Sequence, residues 1–160
     1  MPDWGELWWA FKNSFLQAFL SATLSLFIGG WASLGILNFA SGRGRKFRLG
    51  MEILCLLPNF LPPLFVLLAI LNVVDPFPMG IIGISIVHTM MNFGLVAVLL
   101  AGVIENKVGG VAELSLVEGS GRLRFLFKGM LPMLKKDLWL LGLFIFVVSF
   151  GSFSVPLIVG

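Results

Sequence analysis

The sequence predicts an all-helical membrane protein with about four transmembrane helices, and three observations carry that prediction. Hydrophobic residues fill 58% of the 160 positions and charged residues only 12%, against about 25% charged in soluble domains. The mean hydropathy is +1.02. The apolar residues also fall into four long runs separated by short polar or basic stretches. A soluble domain of this length leaves about a third of its surface exposed, so so much apolar surface would have no place to hide. Hydrocarbon offers backbone groups no partners, which leaves helices as the way through for such runs. The same figures exclude a disordered chain and a protein devoted to nucleic acid, despite a net charge of +3.

The chain opens with Asp3 and Glu6, acid where a signal peptide carries base, so no cleavable targeting segment is expected. Trp4, Trp8 and Trp9 suit an aromatic anchor at a membrane surface. The first apolar run covers residues 14–40, interrupted by Gly29 and Gly30. A basic stretch follows with Arg43, Arg45, Lys46 and Arg48. The second run, 51–74, holds Pro58, Pro62 and Pro63, and a connection without positive charge (Asp75 to Pro78) leads to the third, 79–104, with Gly80 and Gly83. Small and breaking residues in such helices allow close packing and kinks, and a helix that bends during transport is the sharper reading. The fourth run covers 138–159. Each exceeds the roughly 20 residues a spanning helix needs.

Charge sorts the connections. Of the 11 Lys and Arg, all but Lys12 lie in the stretch after the first run or in the long connection 105–136. The positive-inside rule puts those basic segments in the cytoplasm and the N-terminus outside.

The connection 105–136 is patterned. Leu123, Leu126, Phe127, Met130 and Leu134 follow the spacing of one helical face, with Arg124, Lys128 and Lys135 on an adjacent stripe. Residues 111–118 form a second short helix candidate, and Gly119 and Gly121 supply a break between the two. Such a pair suits an element lying on lipid and equally a docking element for a soluble partner.

Glu113, then Gly119 six positions on, then Leu131 and Pro132 stand at the spacing of the EAA loop, and this stretch resembles that loop of bacterial ABC importer permeases. The family's two alanines are Leu114 and Ser115 here, and its isoleucine is Gly129. Residues 14–25, the proline-rich 57–63 and 149–160 look like successive spans of the same permease core. His88 and Asn92 are similar to the His-x-x-x-Asn stretch of the thiamine and ferric-iron branch. The resemblance covers about residues 11–160, one transmembrane domain, and family pattern leads one to expect a closing helix pair beyond it.

The resemblance implies a subunit of an ATP-driven importer in the bacterial inner membrane. It would work with a second permease half or copy, a cytoplasmic ABC ATPase and an extracytoplasmic solute-binding protein. Glu113 and Gly119 would shape a coupling helix that docks on the ATPase, and Leu131 and Pro132 would connect it to the fourth span. Hydrolysis belongs to the partner, since the chain has no Gly-x-x-x-x-Gly-Lys-Ser/Thr stretch. No catalytic, metal or cofactor set is visible with one histidine and one cysteine, and Cys55 reads as a small buried hydrophobe.

His88 and Asn92 share a helix face within the third run. They belong either to the substrate path or to an interhelical hydrogen bond, in which case His88→Ala costs more stability than transport. Glu52, near Arg48, and Asp137, beside Lys136, read as solvated span-edge acids. Two rival readings remain: an ATP-independent carrier or channel, and a membrane scaffold protein.

Overall fold

A computed structural model describes residues 3–43, 45–117, 122–152 and 155–156, with side chains for 3–37, 46–109, 124–152 and 155–156. Every regular element among them is helical. These are α1 (Trp4–Arg43), α2 (Arg45–Phe60), α3 (Pro63–Val73), α4 (Ile81–Val117), α5 (Arg122–Phe125) and, after a π turn at Leu126–Met130, α6 (Leu131–Phe150).

At 40 and 37 residues, α1 and α4 are about 60 and 55 Å long, well beyond a hydrocarbon core of about 30 Å. Two stretches, Trp4–Leu37 and Ile81–Gly109, are long and apolar enough to cross a membrane. Large apolar side chains cover the outside of the bundle; Trp4 is 85% exposed, Phe60 81% and Trp139 73%. A soluble monomer does not tolerate such a surface. The protein is therefore a helical membrane protein.

The second expected run does not form one straight helix. Helices α2 and α3 meet at a bend of 101°. Pro62 biases Leu61 away from the helical region, and Pro63 starts α3 because its missing N–H is an orphan there anyway. The fourth expected run begins inside α6, which also carries Lys135, Lys136 and Asp137. The uncharged helix from Leu138 to Phe150 is shorter than a crossing requires, and residues 153–154 and 157–160 lie outside the described residues.

The connection 105–136 also differs from the expected pair of short helices. Residues 105–117 simply continue α4, and the helical run from Arg122 continues into α6. Polarity marks where hydrocarbon would end, not where a helix ends, and Glu105, Lys107, Ala112, Glu113 and Leu114 are good helix formers. Pro132 is absorbed by the π turn, in which the Leu131 N–H reaches back five residues to the Leu126 carbonyl. A proline cannot serve the carbonyl four residues before it, and a widened turn accommodates that loss. The extra residue rotates the face: Met130 and Leu134 pack on Leu100, Ile104 and Val108 with Phe125, while Phe127 is exposed.

Neighbouring contacts give the directions. Ser85 meets Gln17 and Gly29 meets Phe93 and Val96, so α1 and α4 run parallel. Arg48 pairs with Glu105 and Asn59 with Met91, so α2 is antiparallel to α4. Phe15 meets Phe146 edge to face, as Phe11 meets Phe150, so α6 is antiparallel to α1. Close approach is set by glycine. A Cβ on Gly29 would stand 2.7 Å from the Phe93 carbonyl, and one on Gly94 would collide with the Cys55 carbonyl.

Candidate functional site

A seam of polar side chains runs through the interface of α1, α4 and α6. Helix α1 supplies Gln17, Ser21 and Ser25 at intervals of four, which keeps them on one slowly turning stripe. Helix α4 supplies Ser85, His88 and Asn92, spaced three and four apart, with Thr89 beside them. Helix α6 supplies Ser149. All eight are buried.

Ser149 is the hub because it lies one residue before the end of α6, where a helix leaves its last carbonyls without partners. Gln17 Nε2 donates to the Ser149 carbonyl at 3.2 Å. The Ser21 and Ser149 hydroxyls are 3.1 Å apart. Asn92 Nδ2 donates to Ser149 Oγ at 3.5 Å, so α4 joins α6 through the same residue. Ser85 and Thr89 return their protons to carbonyls of α4 itself, Ile81 and Ser85, at 2.7 Å each. Among the described residues three buried polar atoms keep no hydrogen-bond partner: Gln17 Oε1, Ser25 Oγ and His88 Nε2. An unpaired polar atom in a dry interior costs about 1–3 kcal/mol. The seam can therefore offer one carbonyl-type acceptor, one hydroxyl and one imidazole nitrogen to a polar guest.

The seam includes both polar residues that the sequence singles out in the third run. Asn92 makes an interhelical hydrogen bond, and His88 lies on the same stripe with Nε2 free of any partner. The sequence alone does not single out Gln17, Ser21, Ser25 or Ser149, although the four-residue spacing on α1 is visible in it. Ser and Gln are mild enough to pass in an apolar run, whereas a lone histidine draws attention.

At the other end of the bundle, ion pairs tie the helices. Arg48 Nε donates to Glu52 at 2.8 Å and its Nη1 to Glu105 at 2.7 Å, joining α2 to α4. Lys107 Nζ reaches both carboxylate oxygens of Asp137, at 2.9 and 2.8 Å, joining α4 to α6. Glu52 and Asp137 are thus paired rather than merely solvated.

The four residues of the expected coupling element are dispersed in structural kind. Glu113 is on the last turns of α4, its side chain outside the described set. Gly119 lies outside the described residues. Leu131 and Pro132 open α6, both exposed. Among the described residues no three His, Cys, Asp or Glu side chains approach closely enough to hold a metal ion.

No family model matches the sequence, and no curated protein matches it significantly.

Proposed function

We propose that the chain is a permease subunit of an ATP-driven importer, lining part of the path of a small polar solute. The observation that carries this reading is the buried seam, a line of hydrogen-bonding groups with three unpartnered atoms inside a helical bundle whose outer surface suits lipid. Polar residues in such a position are costly to a membrane protein and characteristically serve a solute or proton path. The spacing of Glu113, Gly119, Leu131 and Pro132 supports coupling to an ATPase, and the crowding of basic residues at one end supports that end as cytoplasmic.

In this reading a second permease unit completes the pathway and an external binding protein delivers the solute. ATPase closure displaces the 111–132 segment, and α6 moves against α1 and α4. The Ser149 hydrogen bonds are the ones that must then exchange for bonds to solute. Small side chains along α1 let the helices part and re-form without strain in bulky side chains.

Co-purification with the cognate ATPase from detergent tests the coupling. The parent chain retains the ATPase, and Glu113→Lys with Gly119→Trp loses it while keeping its helical content. Equal retention by parent and variant overturns the assignment of this segment, and no ATPase with the parent overturns the importer.

A further inference from the structure

An apolar groove follows the outer side of the α1–α6 contact, separate from the seam. Its deeper part, about 490 Å³, runs between Thr23, Leu26, Gly30 and Leu34 of α1 and Leu134 and Leu138 of α6. It continues through Phe127, Leu131 and Leu138 into a mouth of about 550 Å³ flanked by Lys135 and Trp139. From Thr23 to Leu34 the helix rises about 17 Å, close to the depth of one leaflet in a core of about 30 Å.

The mouth is positively charged. Lys135 lines it, and Arg124 and Lys128 stand exposed on the same helical run. Among the described residues none of these three has an acidic partner, whereas Lys107 and Arg48 do. Trp139 is well exposed beside Lys135, where an amphipathic ring belongs at headgroup level. A one-leaflet apolar slot ending in unpaired lysines beside a tryptophan matches the two ends of a single molecule.

We propose that this groove holds an acyl chain of an anionic phospholipid, with the headgroup phosphate on Lys135 and the field of Lys128 and Arg124 around it. A basic pocket between helices recognises such headgroups by charge, and each lysine strengthens the attraction about fivefold. The inference needs the membrane but not the importer, so either can fail alone.

Native mass spectrometry of the purified full chain tests it, after delipidation and addition of phosphatidylglycerol or phosphatidylcholine with identical acyl chains. The parent retains phosphatidylglycerol several-fold better. Lys128→Gln with Lys135→Gln abolishes that preference while leaving phosphatidylcholine retention unchanged. Gly30→Leu places a branched side chain in the slot and lowers retention of both lipids, with helical content by circular dichroism as the check on folding; a Cβ there meets nothing nearer than 4.0 Å. Equal retention of the two lipids by the parent overturns the proposal, as does a preference that survives loss of both lysines. A Trp139→Cys variant that forms a disulfide-linked dimer and holds no lipid assigns the groove to a second copy instead.

Discussion

His88 is the residue at which packing and function separate. A histidine held by an interhelical hydrogen bond, one of the two roles its sequence position allows, loses stability when truncated. With Nε2 unpartnered among the described residues, truncation breaks no such bond there. His88→Leu removes a buried polar atom that nothing satisfies, so stability in detergent is unchanged or rises, by up to about 1–3 kcal/mol. Solute uptake should nevertheless fall about tenfold, the worth of one lost hydrogen bond to solute. Asn92→Ala behaves differently, because its partner is Ser149: about 0.6 kcal/mol of stability is lost, near the average for such bonds in membranes. Glycines sort the same way. Gly94→Ala drives a methyl into the Cys55 carbonyl and costs about 1–3 kcal/mol. Gly102→Ala meets nothing within 4 Å and is neutral to slightly stabilising. Denaturation followed by circular dichroism distinguishes all four.

The elements are tied at their polar ends by ion pairs that differ in exposure. Asp137 is 19% exposed and Lys107 49%, so the bridge between α4 and α6 is partly screened by solvent. Asp137→Asn therefore lowers stability by no more than about 1 kcal/mol, and the loss shrinks as salt rises. Arg48→Gln affects two carboxylates and loosens α2 from α4, with the same salt dependence. Persistence of either loss at 1 M salt, where the screening length falls to about 3 Å, argues that packing rather than charge holds these ends. The prolines at 58, 62 and 63 announced a break in the second run, and the bend stands there. The length of α4 was not legible, because the charges at Glu105 and Lys107 mark a change of solvent while the backbone continues in helix through Val117. Nor was the exposure of Phe127, since a single π turn shifts every later side chain by about 100° and no periodicity template contains one.

For the molecule as a whole, composition made the helical membrane class readable, and the spacing of the basic residues made the charged end of the bundle readable. The seam was half readable, through His88 and Asn92; Ser149 acquires its role only because α6 ends beside it. Cysteine labelling of the orientation follows from the charge asymmetry: Lys46→Cys reacts from the cytoplasmic side and Asp75→Cys from the outer side. The opposite pattern inverts the bundle. In the proposed mechanism the seam opens to solute when an ATPase closes on the cytoplasmic end. The most direct measurement places a cysteine at position 149 in a Cys55→Ala background and follows its reaction with a water-soluble maleimide, in membranes holding the ATPase, with and without Mg-ATP. The expected outcome is a buried, unreactive thiol at rest and labelling that rises steeply with ATP turnover. A thiol that remains equally protected under turnover contradicts it, and leaves the seam as a device for holding three helices together.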